Sequence, residues 1–201
     1  TVLASKLAIK YGLACNTAGG SHHANFDGGA GYCVFNDVAV AGQYLLDRGL
    51  AGKILILDLD VHQGNGNSEI FKDNRNVFTF SMHSKSNYPA IKSVSDLDVE
   101  LEDNLEDKTY NKILKENLIS LNKYSFDFVF YIAGVDVHYQ DKLGKLKLTE
   151  EGIYKRDQMV IENFFSRKIP LCGVLGGGYN KDFNKLVELH AMLHRNCKNF
   201  L

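Results

Sequence analysis

Two adjacent histidines, His22 and His23, lie in the glycine-rich stretch GGSHHANFDGGAG at residues 19–31. Neighbouring side chains of an extended strand point to opposite faces, so two adjacent imidazoles can act at one site only when a loop carries them. Glycine readily forms such loops and lets the backbone approach other groups closely. We therefore expect the two imidazoles to meet at one site, beside other reactive groups of the fold.

A second set of candidate residues could hold a metal ion. In DLDVH, one residue separates Asp60 from His62, so an extended backbone places the carboxylate and the imidazole on the same side. Asp136, after another apolar run, can supply a third ligand. Two oxygens and one nitrogen leave room for water and substrate, which is typical of catalytic zinc, whereas calcium or magnesium would favour more oxygens. The alternative is a solvated strand end, where charge is common.

Three further polar residues could assist this site. Asp58 and Asn65 flank DLDVH, and each could accept an imidazole N–H and so fix the tautomer of a histidine. Asn65 could instead be a simple turn residue among glycines. Tyr179 follows three glycines and could direct its hydroxyl into the site as an oxyanion donor. The alternative for GGGY is a tight turn with a core aromatic, and neither GxGxxG nor a P-loop pattern surrounds it.

The reactive residues follow apolar runs that predict strands. The continuous runs are KILIL, VFTFSMH, FDFVFYI and IPLCGVL, and the shorter LAC precedes the glycine-rich stretch. Strands buried on both faces, as in parallel sheets, have such continuous apolar sequences. Helical patterns alternate with these runs, which predicts an α/β fold with a parallel β-sheet and helices on both faces. In such sheets, sites form beyond the carboxyl ends of the strands, where the reactive groups occur.

Further details of the helices and of one more strand can be predicted. Gly12 is placed to end the first helix, and Asn36 is placed to cap the second. The segment SDLDVELEDNLED alternates in polarity, which favours a strand with one solvated face. Three later helices each carry an apolar stripe at helical spacing. In the last helix we expect a stripe formed by Phe183, Leu186, Val187, His190 and Leu193.

Composition indicates one globular domain over residues 1–201. The chain of 201 residues is 45% hydrophobic, has two prolines and contains no low-complexity linker. Its net charge of −1 gives no electrostatic reason to expect nucleic-acid binding. No apolar run is long enough to span a membrane, and no signal peptide opens the sequence. The four cysteines form no CxxC pair, so we expect four buried free thiols in a reducing compartment and a cytoplasmic protein.

The order of the motifs carries a family resemblance. The stretches are GGSHHA, GGAGYCVFNDVAVA, ILDLDVHQGNGN, FTFSMH, YIAGVD, DKLGKLKLTEEGI with a later KRD, and GGGYN. In this order they resemble the zinc-dependent histone deacetylases, most closely the class IV branch or its bacterial relatives. The resemblance implies the arginase/deacetylase fold from residue 1 to about residue 190. Family domains carry an N-terminal section ahead of the His-His strand, and this chain is expected to lack it.

The resemblance also implies a role for each candidate residue. The zinc ligands would be Asp60, His62 and Asp136. The catalytic residues would be His22 with Asp58 behind it, His23 with Asn65 behind it, and Tyr179, which would hold the substrate carbonyl. The substrate-binding residues would be Gly31, Tyr32 and Gly177. A monovalent cation such as potassium would lie near Asp58, Asp60, His62, Ser81 and Met82.

The implied reaction is zinc-dependent hydrolysis of an amide bond. It would remove an acetyl or other acyl group from the lysine of a protein or from a related acetylated amine. His23 would carry the proton, and His22 would act mainly through its charge. Two alternatives stay open. One is a catalytically silent, truncated homologue that acts as a binding partner, and the other is an arginase-like hydrolase with two manganese ions, which needs more bridging carboxylates.

Overall fold

Six parallel strands form one sheet in the computed structural model, which describes residues 1–200. The strands are β1 (Leu13–Cys15), β2 (Ile54–Asp58), β3 (Val77–Ser84), β4 (Leu97–Leu101), β5 (Phe128–Ile132) and β6 (Leu171–Val174). Their order across the sheet is β1-β6-β5-β2-β3-β4, and every neighbouring pair is parallel. The predicted parallel α/β architecture is therefore confirmed.

Six helices cover both faces of the sheet. They are α1 (Val2–Tyr11), α2 (Asp37–Asp47), α3 (Asn65–Phe71), α4 (Asp107–Leu121), α5 (Glu150–Phe165) and α6 (Phe183–Lys198). The first three pack on one face, and the last three pack on the other. Both predicted caps are confirmed. Gly12 ends α1 with a φ of 86°, and the Asn36 side chain accepts a hydrogen bond of 2.9 Å from the Ala39 N–H at the start of α2.

The central strands explain why their sequences are apolar throughout. All five residues of β2 and all five of β5 are buried. Leu55 and Leu57 join the core beneath α4 and α5, whereas Ile54 and Ile56 join the core on the opposite face. Side chains alternate between the faces of a strand, so a strand covered on both faces needs apolar residues at every position. Asp58 ends β2, and polar residues begin there.

Helix α3 was not predicted, because its sequence NGNSEIF contains a glycine and two asparagines and has low helix propensity. Contacts with the glycine-rich loop stabilise its start. The Gly66 and Asn67 N–H groups donate to the His22 carbonyl, at 2.9 and 3.3 Å. A Cβ on Gly66 would lie 2.3 Å from the Ala24 carbonyl oxygen, so a glycine lets the helix approach that loop. Tertiary contacts therefore outweigh the local propensity.

The buried face of α6 differs from the prediction. Phe183 and Val187 of the predicted stripe are 73% and 51% exposed, whereas Leu189, Leu193 and Cys197 are buried. The helix packs against α5 and β1 along this second set of residues. Phe183, Leu186, Val187 and His190 of the predicted stripe instead line a surface groove of about 340 Å³, whereas Leu193 is buried, as predicted. A helix with apolar residues on two adjacent sides does not reveal in its sequence which side faces the core.

The edges of the sheet account for two further observations. The acidic segment forms the edge strand β4, in which Glu100 is exposed and Leu101 is buried, as the alternation predicts. All four cysteines are free, but only Cys172 and Cys197 are buried. The prediction of four buried thiols is wrong for Cys15 and Cys33, which are half-buried because one ends an edge strand and the other lies in a surface turn.

Within residues 1–200, no helix combines the length and apolarity needed to cross a membrane.

Candidate active site

Asp60, His62 and Asp136 lie together beyond the carboxyl ends of β2 and β5, which are neighbours in the sheet. His62 Nδ1 is 3.0 Å from Asp60 Oδ1 and 3.1 Å from Asp136 Oδ2. All three residues are buried, and one ligand atom from each lies within 4.8 Å of the others. Across the part of the chain that the structure describes, this is the one such group of three or more potential metal ligands. The group supplies two carboxylates and one imidazole.

Backbone N–H groups hold both carboxylates in place. The Val61 N–H donates to Asp136 Oδ1 at 2.9 Å, and the His62 N–H donates to Asp60 Oδ1 at 2.9 Å. The Gly177 N–H, beyond the end of β6, donates to Asp60 Oδ2 at 2.6 Å. A Cβ on Gly177 would lie 2.2 Å from Asp136 Oδ2, so only a glycine lets this backbone run against both acids. The structure thus places Gly177 beside the candidate metal ligands.

The three candidate ligands hold a proton among them. Burial would lower the pKa of His62, but hydrogen bonds to Asp136 and Asp60 outweigh it and raise the pKa to about 10. Burial and the nearby Asp60 carboxylate raise the pKa of Asp136 to about 7. Burial would also raise the pKa of Asp60, but the His22 and His62 imidazoles hold it well below its usual range. Two carboxylates around one imidazole therefore attract a cation, and oxygen and nitrogen donors of this kind suit zinc.

The adjacent histidines do meet, with ring centroids 4.1 Å apart. His22 Nδ1–H donates to Asp58 Oδ2 at 2.6 Å, and its Nε2 lies 3.8 Å from Asp60 Oδ1. His23 Nδ1–H donates to the Asn65 amide oxygen at 2.7 Å. An amide oxygen can only accept, so His23 carries its proton on Nδ1 and leaves Nε2 unprotonated. The loop therefore presents two imidazoles with different partners.

These partners give the two imidazoles opposite charge states. Burial would lower the pKa of His22, but attraction to Asp58 and Asp60 outweighs it and raises the pKa to about 9. Burial and repulsion from His22 lower the pKa of His23 to about 3, because Asn65 supplies no charge to offset them. At neutral pH one histidine is an imidazolium and its neighbour is a neutral base. Pairs of titratable groups with diverging pKa values are typical of acid–base sites.

The turn that follows the histidines lies directly against His23. Gly31 has a φ of 51°, and a Cβ there would lie 2.3 Å from His23 Cδ2. Tyr32 also has a positive φ, 65°, and its side chain is 86% exposed. Hydrogen bonds in both directions between Ala30 and Cys33 close this turn. The backbone strain is thus located where the turn brings an aromatic side chain to the edge of the site.

Tyr179 approaches from the opposite side. Its backbone N–H donates to Asp141 Oδ2 at 2.7 Å, which anchors the loop after β6 to the loop after β5. Its ring centroid lies 6.2 Å from that of His62 and 6.1 Å from that of Tyr32. Burial, followed by repulsion from Asp60 and Asp136, raises the pKa of Tyr179, so its hydroxyl remains a hydrogen-bond donor at neutral pH. Such a group can stabilise negative charge that develops on an oxygen.

A pocket of about 320 Å³ opens onto these groups. It is lined by His23, Gly31, Tyr32, His62, Asn87, Tyr88, Leu143 and Tyr179. Tyr88 was not predicted from the sequence, and its ring meets that of His23 edge-on with a centroid distance of 4.8 Å. An aromatic residue before Pro89, shortly after β3, was the only signal. Asn87 joins the two loops on this side, because its side chain donates to the Leu143 carbonyl at 2.8 Å.

Arg156 was also not identified, although it supports the backbone beneath the site. This fully buried guanidinium donates to the carbonyls of Gly134 at 2.6 Å and Ala133 at 3.3 Å, in the segment that leads to Asp136. It pairs with Asp157 at 2.8 Å. The signal was available in the sequence, because the Arg-Asp pair of KRD lies on the apolar stripe of α5.

The residues expected near a monovalent cation are also adjacent in the sheet. Asp58 is in register with Ser81 across β2 and β3, and Met82 is the next residue along β3. The Gly64 N–H donates to Ser81 Oγ at 3.3 Å. The structure therefore places Asp58, at the end of β2 that leads to Asp60 and His62, beside Ser81 within β3, and Met82 is buried.

The parallel sheet and the buried Asp-His-Asp group define an α/β protein of the arginase/deacetylase fold with a candidate metal site at its strand ends. A crystal structure of acetylpolyamine aminohydrolase from Burkholderia pseudomallei has this fold. It superposes with a TM-score of 0.81, covering 99% of this chain and 60% of that one, at 22% identity. The family model described as the histone deacetylase domain matches residues 1–193, and the chain belongs to the histone deacetylase family.

Two curated relatives show the extent of the similarity. An uncharacterized protein of Picosynechococcus sp. is 48% identical over 196 residues, which are 97% of this chain and 65% of that protein. Histone deacetylase 2 of Arabidopsis thaliana is 32% identical over 191 residues, which are 93% of this chain and 49% of that protein. The chain thus spans about half to two-thirds of the length of these relatives.

Proposed function

We propose that this chain carries the active centre of a zinc-dependent amidohydrolase that removes acetyl or other acyl groups from amines. One observation carries the proposal. A neutral His23 and a charged His22 stand side by side next to the Asp60–His62–Asp136 group, which shares a pocket with the Tyr179 ring. Membership of the histone deacetylase family supports the same reaction.

Asp60, His62 and Asp136 would hold the zinc ion. Their two carboxylate oxygens and one imidazole nitrogen suit catalytic zinc, and the raised pKa of His62 between the two carboxylates supports a group that favours a cation. When bound, zinc supplies Lewis-acid polarisation of the acyl carbonyl and lowers the pKa of a water molecule. The buried group contributes negative charge, and its N–H contacts keep the carboxylates oriented.

His23 acts as the general base and then as the general acid. Its Nδ1–H is held by Asn65, which directs the unprotonated Nε2 away from that contact. Its lowered pKa keeps the ring neutral before reaction, and the free Nε2 lone pair is then available for the proton of the attacking water. The same nitrogen then returns the proton to the departing amine, which leaves the ring neutral again.

His22 and Tyr179 stabilise charge. Asp58 keeps His22 protonated at neutral pH, so this imidazolium has no free site for the proton of water and contributes positive charge instead. The hydroxyl of Tyr179 remains protonated and donates to the carbonyl oxygen as negative charge develops on it. Donors of this kind act most strongly in a site that is largely closed to water.

The aromatic walls of the pocket suit an aliphatic stem. Tyr32 and Tyr88 flank the entrance, and Gly31 between His23 and Tyr32 keeps that side flat. Gly177 would lie below the acyl group, next to the candidate zinc ligands. We propose an acyl-lysine protein or a small acetylated amine as substrate. The names of the Arabidopsis relative and of the Burkholderia enzyme indicate one substrate of each kind.

Three further points belong to the same proposal. A monovalent cation such as potassium would be held by oxygens of Asp58, Asp60, His62, Ser81 and Met82, and the pairing of Asp58 with Ser81 across β2 and β3 supports this. The protein would be cytoplasmic, in keeping with its four free thiols. Residues 1–201 would form one catalytic domain, in keeping with the single six-stranded sheet.

The test is hydrolysis of two substrates by the chain loaded with zinc. An acetyl-lysine peptide and a monoacetylated diamine are compared, with metal content measured on the same sample. We expect about one zinc per chain and amine release from at least one substrate. A chain that holds one zinc but hydrolyses neither an acetyl nor a longer acyl substrate would instead be the catalytically silent homologue.

A further inference from the structure

Two cysteines that are distant in sequence meet on the far side of the sheet from α1 and α2. Cys15 is the last residue of β1, and Cys197 lies in the last turn of α6. Their sulfur atoms are 2.7 Å apart although 182 positions separate them in the chain. Cys15 is half-buried, and Cys197 is buried. Neither residue contributes to the candidate active site.

Local packing explains why the sulfurs approach so closely. Cys15 pairs with Gly173 in the β1–β6 register, and a Cβ on Gly173 would lie 3.0 Å from the Cys15 sulfur and 3.1 Å from Leu193. The missing side chain therefore leaves space beneath α6 that the sulfur fills. Cys172, one residue before this glycine, joins the core on the opposite face of the sheet. Cys197 is thus the thiol placed to react with Cys15.

We propose that Cys15 and Cys197 form a modification site, at which a peroxide converts the two thiols into an intramolecular disulfide. A disulfide bond is about 2.05 Å long, so the two sulfurs need to approach by less than about 1 Å more. Among the described residues, Cys15 and Cys197 do not belong to a cluster of metal ligands. Over residues 1–200, the cluster of potential metal ligands is the separate Asp60–His62–Asp136 group.

Exposure determines the order of the two steps. The half-exposed Cys15 thiolate attacks one oxygen of hydrogen peroxide, the O–O bond breaks, and the released hydroxide takes a proton to leave as water. The Cys197 thiol then attacks the sulfenic sulfur, forms the S–S bond and gives its proton to the departing hydroxyl as a second water. Two thiols are oxidised, and one peroxide is reduced to two waters. The hydrogen bond with Cys15 and burial raise the pKa of Cys197, so Cys197 stays a thiol while the more exposed Cys15 reacts first.

The disulfide would join the end of α6 to the strand that precedes the histidine loop. It would close a loop of about 180 residues, and cross-links of long loops stabilise folded proteins by constraining the unfolded chain. This inference does not depend on the proposed hydrolase activity, since its measurements follow thiols and mass.

The experiment treats the zinc-loaded chain with about one equivalent of hydrogen peroxide under native conditions. We expect the intact mass to fall by about 2 Da, because two hydrogens are lost. The free thiol count should fall from four to two. Non-reducing peptide mapping should join the peptides of Cys15 and Cys197, and dithiothreitol should reverse every change. The melting temperature should rise by about 5–15 °C on oxidation.

Serine variants of the four cysteines identify the two thiols that form the disulfide. Cys15→Ser and Cys197→Ser should each abolish the mass loss and the link, whereas Cys172→Ser and Cys33→Ser should keep both. Peptide mapping of the unsubstituted chain identifies the two linked cysteines even if a serine variant does not fold. Addition of one or more oxygens at Cys15 without any cross-link, or a disulfide that involves Cys33 or Cys172, would overturn the proposal.

Discussion

Two clusters of buried charge lie on opposite sides of the Gly134 backbone. On one side, a Cβ on Gly134 would lie 2.3 Å from Asp60, which belongs to the site cluster of His22, His23, Asp60, His62 and Asp136. On the other side, the Gly134 carbonyl accepts from Arg156, which belongs to the arginine cluster of Tyr131, Arg156 and Asp157. Both clusters are almost fully buried.

The clusters differ in access and in charge balance. The arginine cluster is closed, since Arg156 and Asp157 neutralise each other at 2.8 Å and the Tyr131 hydroxyl donates to Asp157 at 2.5 Å. The site cluster opens onto a pocket of about 320 Å³ through His23 and His62. Its members also have pKa values displaced in opposite directions. Burial of charge therefore does not by itself indicate a candidate active site, whereas an opening and unequal protonation support one.

The largest expected effect is on catalysis by the site cluster. His23→Ala removes the neutral base, and we expect kcat to fall by about 10²–10⁴. The zinc content should stay near one per chain, because His23 is not a ligand. Steady-state kinetics on an acetylated substrate measures this, with His194→Ala on α6 as the control that keeps wild-type turnover. A loss smaller than about tenfold would remove His23 from the role of general base.

The second expected effect is on the stability that the arginine cluster provides. Arg156→Met leaves Asp157 buried without a counter-charge, and we expect the free energy of unfolding to fall by about 3–5 kcal/mol. Urea unfolding measures it, and the exposed Arg167→Met is the control, expected to change stability by less than about 0.5 kcal/mol. An Arg156→Met chain as stable as the wild type would show that the arginine cluster is not a structural ion pair.

A third prediction separates the hydroxyl of Tyr179 from its ring. Tyr179→Phe keeps the ring but removes the oxyanion donor, so we expect kcat to fall by about 10²–10³ while KM changes little. Tyr32→Phe at the exposed rim loses a hydroxyl of the same kind and should keep turnover close to wild type. Equal losses in the two variants would contradict a specific role for Tyr179.

The smallest expected effect is a pH dependence of zinc binding. Without metal, the pKa of His62 is about 10, so zinc must displace a proton from this ring at any lower pH. Raising the pH removes that proton, and the apparent affinity should rise about tenfold per pH unit between pH 7 and 8. The rise should be steeper below pH 7, where Asp136 also takes up a proton. Competition with a chromophoric chelator measures it, and a pH-independent affinity would mean that the ring is already neutral.

The sequence predicted those parts of the molecule that depend on local patterns. Continuous apolar runs give buried parallel strands, and parallel strands bring their carboxyl ends to one edge, so Asp60 and Asp136 could be expected to meet. The spacing of Asp60 and His62 is also a local property of an extended segment. These features need no knowledge of distant contacts.

The missed features depend on contacts between distant segments. Tyr88 reaches His23 only through the path of the loop after β3. Helix α3 forms against the His22 carbonyl despite its low propensity. The buried side of α6 is decided by its packing on α5 and β1. Arg156 could have been noticed on the apolar stripe of α5, but its carbonyl partners in the β5 loop could not.

The order of strands in the sheet also has a consequence for synthesis of the chain. Among the six described strands, β1 pairs only with β6, which follows the other five in sequence and lies between β1 and β5. Strands β2 to β5 are adjacent without it, so they can gather Asp60, His62 and Asp136 earlier. Within the described sheet, β1 therefore joins only after β6 has been made, so the loop with the two histidines reaches the candidate zinc ligands later than those ligands reach one another.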